Sequence, residues 1–223
     1  MTENYYTENM HAHKLYRAYQ TGSKRIKQYL KAEISFVAKH LHGTEHILEL
    51  GAGYGRIMKE LSKNCHSVTG IDISKDNVEF GNKYLGGAPN AKLLVMDAHD
   101  LHFEETFDIV LCLQNGLSAM KAQPFEYIHK MMALASPGGK AFISSYSAKF
   151  WGCRLAWFQE QAGLGLLGEI DAAKTGDGVI VCKDGFQATT HSWEDLDAAG
   201  KASGFQYEVV EVDESSVFLI VAK

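Results

Sequence analysis

The stretch that most constrains this chain is a short apolar run followed by glycines at alternate positions. Residues 47–50 (Ile-Leu-Glu-Leu) lead into residues 51–55 (Gly-Ala-Gly-Tyr-Gly), and apolar residues then recur at helical spacing between residues 57 and 61. This pattern predicts a strand, a tight turn and a helix. Because glycines allow the backbone to approach a bound molecule closely, we expect the turn to be a ligand-binding loop.

The bulk composition indicates a globular protein with one core. Of its 223 residues, 46% are hydrophobic, 22% are charged and only 3 are proline, so one domain with an elaboration is expected. The net charge of −5 provides no basic surface for nucleic acid, which is not expected as a partner. The first 20 residues lack the apolar core of a signal peptide, and no apolar run is long enough to span a bilayer. We therefore expect a cytoplasmic protein with no membrane partner.

The cysteines and histidines lack the spacing of metal ligands. The 4 cysteines are scattered without a C-x-x-C pair, so neither a zinc site nor a disulfide framework is predicted. Three pairs of histidines are closely spaced: His11 and His13, His40 and His42, and His99 and His102. None of these pairs has the i, i+4 spacing with an acid that marks a zinc-binding helix. We expect no metal.

Apolar strands alternate with helices through the middle of the chain. The predicted strands of this part cover residues 46–50, 67–73, 92–97, 107–113 and 141–145. Continuous apolar strands separated by helices are typical of a parallel sheet with both faces covered. Two helices with apolar stripes precede the first strand. Residues 205–212 and 216–222 are predicted to close the chain as an antiparallel pair, so the fold class is α/β.

Polar residues stand at the predicted carboxyl ends of the strands. Glu49, Asp72, Asp97 and Gln114 all lie there, on the edge where open α/β sheets bind their ligands. The glycine loop alone does not distinguish one nucleotide-like ligand from another. Arg56, however, stands where the third glycine of a G-x-G-x-x-G motif would fall. The loop therefore fits a ligand without phosphate better than it fits NAD.

Five segments occur in an order known from one family. They are residues 48–56, 68–74, 96–98, 107–110 and 136–139. With them the chain resembles the class I S-adenosylmethionine-dependent methyltransferases, particularly the small-molecule group that includes the ubiquinone/menaquinone-biosynthesis type. The resemblance covers roughly residues 45–145. It implies a Rossmann-like, doubly wound, seven-stranded sheet, mostly parallel with an antiparallel last strand, and S-adenosyl-L-methionine as the methyl donor.

The resemblance also implies roles for individual residues. The methionyl part of the cofactor would lie on residues 51–53, and Asp72 would bind the two ribose hydroxyls, as an ionised carboxylate can. Asp97 would bind the adenine amino group, and Gln114 would border the sulfonium. For Glu49 and Asp97 the alternative is that they cap neighbouring backbone. The expected cofactor residues are Glu49, Gly51, Ala52, Gly53, Gly55, Asp72, Ile73, Asp97, Ala98, Leu113 and Gln114.

The methyl acceptor is not marked by a motif. An in-line displacement at a sulfonium needs alignment and desolvation of the acceptor. Some acceptors must also lose a proton, and phenols and carbon acids need this help more than thiolates or amines do. The candidate catalytic residues are His99, His102 and Tyr16. His191 is a further candidate base, Tyr19 a candidate lid residue, and a surface histidine without chemistry is the alternative. Residues 113–117 (Leu-Gln-Asn-Gly-Leu) lack the Asn/Asp-Pro-Pro-aromatic sequence of DNA and protein-amide methyltransferases, which leaves a small-molecule acceptor.

We predict a single methyltransferase domain over residues 1–223. Its parts are a helical cap (1–43), a cofactor-binding core (44–146), an acceptor-side insertion after the fifth strand (147–191), and a closing helix with two strands (192–223). The insertion begins with an aromatic-rich helix and continues as a hairpin around Asp184 and Gly185. Insertions of this length are usually functional. We expect its aromatic residues to favour an apolar or planar acceptor, and the tyrosines at positions 5, 6, 16 and 19 to serve either packing or a lid.

Two functions of other classes remain at this point. One is an NAD- or nucleotide-binding oxidoreductase on a similar sheet, which the position of Arg56 disfavours. The other is a catalytically silent protein that binds the cofactor, which the intact glycines and strand-end acids disfavour. Oligomeric state is not predicted.

Overall fold

A seven-stranded sheet forms the centre of the molecule. The computed structural model describes Tyr5, Asn9 and residues 12–223. The strands of the sheet are β1 (His46–Leu50), β2 (Ser67–Asp72), β3 (Ala91–Val95), β4 (Phe107–Cys112), β5 (Ala135–Tyr146), β8 (Gln206–Val212) and β9 (Ser216–Ala222). Their spatial order is β3-β2-β1-β4-β5-β9-β8. Strands β1 to β5 pair in parallel, and β9 is antiparallel to both of its neighbours. The predicted α/β, mostly parallel seven-stranded sheet is confirmed.

Helices lie on both faces of this sheet. They are α1 (His13–Ala18), α2 (Lys24–Ala38), α3 (Arg56–Leu61), α4 (Lys75–Tyr84), α5 (Gly116–Ala119), α6 (Pro124–Leu134), α7 (Trp151–Gly163) and α8 (Trp193–Ser203). A hairpin of β6 (Val179–Val181) and β7 (Gln187–Thr189) stands apart from the sheet. Helix α8 begins with a capping box between Ser192 and Asp195 and ends at Gly204 in a left-handed conformation.

Alternate residues of the buried strands point to opposite faces and form two separate cores. In β4, Val110 and Cys112 join the core beneath α6 and α8, whereas Ile109 and Leu111 join the core beneath α2, α3 and α4. Both faces are therefore apolar, which explains why the strand sequence is a continuous apolar run. The strand order reverses between β1 and β4, and this switch point places the glycine loop at the open carboxyl edge of the sheet.

Several predicted boundaries differ from the structure. The sequence pattern predicts a helix from about Arg56 to Asn64 after the glycine loop, whereas α3 ends at Leu61. Residues 136–139 (Ser-Pro-Gly-Gly), whose composition predicts a turn, instead lie within β5 as an irregularity, because Phe107 pairs with Ala135 and Ile109 pairs with Lys140. Strand β3 ends at Val95, so Asp97 stands two residues beyond it. There the chain turns, since the Asp97 carboxylate accepts a hydrogen bond from the backbone N–H of His99 at 2.8 Å.

The N-terminal helices and the insertion share a third apolar core. Tyr29 of α2 packs with Trp157 of α7 and with Phe150, and Phe186 of the hairpin belongs to the same cluster. The first of the two helices predicted before β1 corresponds to α1. Tyr6 and His11 lie outside the residues that the structure describes. Among the helices described, none combines the length and the apolar character needed to cross a membrane.

Candidate functional site

The loop between β1 and α3 adopts a conformation that glycine favours. Gly51, Gly53 and Gly55 have φ angles of 67°, 56° and 82°, all in the left-handed region. A side chain at Gly53 would also approach the side chain of Leu15 to 2.9 Å. The loop therefore needs glycine both for its backbone path and for the close approach of α1.

A cavity of about 450 Å³ lies against this loop, at the carboxyl ends of β1, β2 and β4. Its volume falls within the roughly 300–1,000 Å³ of small-molecule sites. The loop forms one wall, and Asp72 and Asp97 stand at the strand ends. Leu15 and Tyr19, from α1 and the residue that follows it, also line the cavity. The cavity is thus bounded by the sheet edge and by the N-terminal segment.

Asp72 is held in place by three donors. Its Oδ2 accepts from the Gly53 N–H at 2.9 Å, and its Oδ1 accepts from the Ser74 N–H at 2.9 Å and from Asn77 Nδ2 at 3.0 Å. Burial raises the pKa of Asp72, and these hydrogen bonds oppose the rise. Since a carboxylate offers about four acceptor positions, one remains free on Oδ2. Binding of two ribose hydroxyls stays a prediction and requires one of the present donors to turn away.

Asn77 connects this carboxylate to the N-terminal segment. While its Nδ2 donates to Asp72, its Oδ1 accepts from the Ala12 N–H at 2.6 Å. The indole of Trp157 donates to the Ala18 carbonyl at 3.2 Å at the other end of α1. Helix α1 is therefore fixed to the cavity at one end and to the insertion at the other.

His99 lies in the cavity wall with a defined tautomer. Its Nε2 is 2.8 Å from the carbonyl oxygen of Met120, which can only accept, so Nε2 carries the proton. In the neutral ring Nδ1 then holds the lone pair. His99 is thus able to accept a proton only through Nδ1.

The other two candidate catalytic residues do not line the cavity. The His102 side chain is 73% exposed, with Nε2 3.1 Å from the Asp100 carboxylate. The Tyr16 ring packs edge-on against Tyr54, with centroids 5.6 Å apart, in an aromatic cluster behind the wall. His191, the further candidate base, is also outside the wall, and burial lowers its pKa. The placement favours His99 among the four.

The wall between the loop and β4 carries ionisable and polar side chains. Burial raises the pKa of Glu49 to about 8, and the positive charge of Arg56 opposes this rise. Gln114, directly after Leu113, has a φ of 54°, and its N–H donates to Ser144 Oγ at 2.8 Å. Glu49, Arg56 and Gln114 all line the cavity.

The expected cofactor residues come together with one exception. Ten of them line the cavity: Glu49, Gly51, Ala52, Gly53, Asp72, Ile73, Asp97, Ala98, Leu113 and Gln114. Gly55 does not, because it is the N-cap of α3 and packs against Leu85. The cavity residues that the sequence analysis did not identify as cofactor residues include Leu15, Tyr19, Arg56, Asn77 and Met120. Of these five, only two were marked by the sequence. Tyr19 was a candidate lid residue, and Arg56 was the residue that departs from the G-x-G-x-x-G motif.

The aromatic residues of the insertion do not line this cavity. Phe150, Trp157 and Phe158 are at most 7% exposed and belong to the third core. They pack there because α2 and the hairpin offer them apolar partners. That these rings favour an apolar or planar acceptor stays a prediction, since they pack in the third core and do not line this cavity.

These residues fit S-adenosylmethionine. The cavity combines an open glycine backbone, an oriented carboxylate at the end of β2 and unpartnered buried polar atoms on Glu49, Arg56 and Gln114. A ligand with hydroxyls, an amine and a carboxylate satisfies such a set. Within the described part of the chain, no three His, Cys, Asp or Glu side chains are placed to hold a metal ion.

Comparison with known proteins supports this interpretation. The methyltransferase domain family matches residues 47–139. The ubiquinone biosynthesis O-methyltransferase of Hydrogenovibrio crunogenus is 28% identical over 124 residues, which is 54% of this chain and 51% of that protein. The demethylmenaquinone methyltransferase of Clavibacter sepedonicus is 30% identical over 104 residues, 46% of this chain and 42% of that protein. The chain spans about half the length of the curated relatives it matches.

Solved structures share the fold over nearly the whole chain. The complex of DhpI with SAH superposes with a TM-score of 0.65 at 16% identity, covering 100% of this chain and 98% of DhpI. A protein of Pyrococcus horikoshii superposes with a TM-score of 0.66 at 20% identity, covering 93% of this chain and 97% of that protein. Residues 47–139 therefore match a methyltransferase domain family, and the fold around them is shared with the solved structures named above.

Proposed function

We propose that this chain transfers the methyl group of S-adenosylmethionine to a small-molecule acceptor. The observation that carries the proposal is the cavity at the switch point of the sheet, where the glycine loop, Asp72 and Asp97 meet. A site with these groups suits a ligand that has an amino acid at one end and a nucleoside at the other. The position of Arg56 and the relatives named as methyltransferases disfavour the alternative of an NAD-dependent oxidoreductase.

The residues around the cavity serve to bind, orient and exclude water. When bound, S-adenosylmethionine supplies an electrophilic methyl group on a sulfonium. Asp72 would bind the ribose, Asp97 would bind the adenine end, and the loop would receive the amino acid end. Leu15 and Met120 are apolar neighbours of the loop, since they contact the positions where side chains at Gly53 and Gly51 would lie. They would keep water from the reacting atoms.

The names of the relatives favour an oxygen atom as the acceptor. One group of them is named for O-methylation in ubiquinone biosynthesis. A phenol needs to lose its proton before or during transfer, and His99, which lines the cavity, is the candidate base placed to take it. The roles of the cap, the insertion and the closing segment, a cytoplasmic location, and the lack of nucleic-acid and membrane partners stay predictions from the sequence.

A product screen tests the proposal. The purified protein is incubated with S-adenosylmethionine carrying a deuterated methyl group and with phenols, thiols and amines in parallel, and products are analysed by mass spectrometry. We expect a labelled product with at least one acceptor, and less of it with the Asp72→Asn variant when the cofactor concentration is near the wild-type Kd. Binding of S-adenosylmethionine without any labelled product across the panel would favour the catalytically silent alternative.

A further inference from the structure

A buried carboxylate on α2 lies next to the cavity wall. Glu33 is 0% exposed, its Oε1 accepts from the Ser216 hydroxyl at 2.7 Å, and its Oε2 accepts from the Gln114 N–H at 3.2 Å. Both donors are neutral groups. A carboxylate buried among neutral donors costs free energy, and groups of this kind commonly mark functional positions.

The Gln114 N–H belongs to a turn with a strained backbone. Gln114 and Asn115 have φ angles of 54° and 60°, so two consecutive residues that are not glycine lie in the left-handed region directly after β4. This conformation costs free energy for a residue with a side chain, and it persists only where the surrounding contacts hold it. Strained turns of this kind cluster at active sites.

The contacts that hold the turn come from α2, β5 and the hairpin. The Gln114 N–H is shared between Ser144 Oγ at 2.8 Å and Glu33 Oε2 at 3.2 Å. The Asn115 N–H donates to the Ser144 carbonyl oxygen at 3.0 Å, and the Asn115 side-chain amide donates to the Thr189 carbonyl oxygen at 2.9 Å. Among these contacts, Glu33 contributes the only ionisable group.

The turn forms the part of the cavity wall that follows β4. Leu113, Gln114 and Gly116 line the cavity, and the buried Nε2 of Gln114 has no partner among the described residues. Glu33 does not line the cavity itself. It is therefore placed to act on a bound molecule through the turn.

The strength of this contact depends on the charge of Glu33. An ionised carboxylate accepts at both oxygens, and a charge-assisted hydrogen bond is stronger than a neutral one. Burial raises the pKa of Glu33 to about 7, while its hydrogen bonds and the positive charge of Arg56 oppose this rise. The other titratable groups that face Glu33 are phenols whose pKa values are raised by burial: Tyr19, Tyr29 and Tyr146. Within this set, Glu33 is the group that changes its charge near neutral pH.

We propose that Glu33 is a positioning residue for methyl transfer, whose ionised carboxylate holds the turn at Gln114 and Asn115 beside the bound S-adenosylmethionine. Loss of the charge loosens the turn and lets the cavity wall after β4 move, so the methyl group is less well aligned with its acceptor. The inference rests on the proposed function, because alignment matters only where a methyl group is transferred. It gives the N-terminal helix α2 a role in the reaction in addition to packing.

The backbone amide of Gln114 reports the contact without any turnover. In amide nitrogen–proton NMR spectra of the wild type, we expect the Gln114 signal to shift with a midpoint at about pH 7, as the pKa of Glu33 implies. Glu33→Gln keeps the shape of the side chain without its charge and should abolish this titration. Glu60→Gln changes an exposed carboxylate paired with Lys63, so it is the matched control and should leave the titration unchanged. A Gln114 signal that does not titrate in the wild type, or that titrates alike in Glu33→Gln, would overturn the proposal.

Rates at several pH values test the effect on the reaction. The rate is measured with saturating S-adenosylmethionine and an acceptor found in the product screen. It is divided by the concentration of binding sites from calorimetric titration with S-adenosylhomocysteine, so unfolded protein does not count. We expect the wild type and Glu33→Gln to differ by less than about threefold at about pH 6, where both side chains are largely neutral. At about pH 8 the wild type should be roughly 10-fold faster, which is less than a misplacement of about 1 Å can cost.

The ratio of the two rates isolates Glu33, because the titration of His99 affects both proteins alike. A ratio that stays constant with pH, or that remains below about twofold at about pH 8, would overturn the positioning role. A wild type that gives no labelled product with any acceptor would reject the proposed function. In that case the titration of the Gln114 amide still decides whether Glu33 holds the turn.

Discussion

The substitution Asp72→Asn separates the structural role of this carboxylate from its role in binding. Asp72 accepts from three donors through two oxygens, whereas an amide has one oxygen. Whichever way the amide is turned, at least one donor loses its acceptor. Leaving a buried donor unpaired costs about 1–3 kcal/mol, so we expect the free energy of unfolding of the ligand-free protein to fall by that amount.

The same substitution should weaken cofactor binding by a separate amount. A hydroxyl bound to a carboxylate contributes about 1.5–3 kcal/mol, which corresponds to a roughly 10–150-fold higher Kd. Urea denaturation without ligand measures the first effect, and calorimetric titration with S-adenosylhomocysteine measures the second. Asp100→Asn, which changes an exposed carboxylate outside the cavity, is the control and should alter neither quantity. A variant that is destabilised but binds within threefold of wild type would remove Asp72 from the binding site.

Three further predictions concern stability. Gly81→Ala should lower the free energy of unfolding by about 1–3 kcal/mol in urea denaturation, because its new methyl group would meet the backbone oxygen of Tyr54 at 2.9 Å. A loss below about 0.5 kcal/mol would contradict this close packing. Ser192→Ala removes the capping box of α8 and should cost about 1 kcal/mol in the same assay, with unchanged affinity for S-adenosylhomocysteine. Since the pKa of Glu49 is raised to about 8 from 4.5, the folded state holds a proton that the unfolded state releases between these pH values, so the stability of the ligand-free protein should fall as pH rises through this window. Glu49→Gln should flatten that fall, leaving the part due to Glu33, whose pKa is raised to about 7; a profile parallel to wild type would refute the assignment.

Local signals in the sequence predict the strands, the sheet edge and the strand-end residues of the cavity wall. The continuous apolar run of β4 follows from burial of both faces, and the strand-end positions of Asp72 and Gln114 follow from the parallel arrangement. These features depend on residues close in sequence, or on the single rule that parallel strands share a carboxyl edge.

Contacts between distant segments could not be predicted in the same way. The hydrogen bond from Ala12 to Asn77 joins residues 65 positions apart, and neither residue belongs to a motif. His99 and His102 are three positions apart, yet one ring reaches the Met120 carbonyl and the other points to solvent. The path of a turn decides this difference, and the residue types do not reveal it.

The aromatic insertion illustrates a second limit. A run of rings indicates burial, but it does not state whether a ligand or another helix provides the cover. Here α2 provides it, through Tyr29 against Phe150 with ring centroids 5.0 Å apart. The aromatic composition of the insertion therefore reflects its packing in the third core.

Titration of the wild-type protein with S-adenosylmethionine and, separately, with NAD tests the central claim most directly. The cavity at the switch point, with Asp72 proposed to bind the ribose and Arg56 in place of a third glycine, predicts saturable one-to-one binding of S-adenosylmethionine and no heat of binding with NAD. Absence of S-adenosylmethionine binding, or saturable binding of NAD, would contradict the assignment of this cavity.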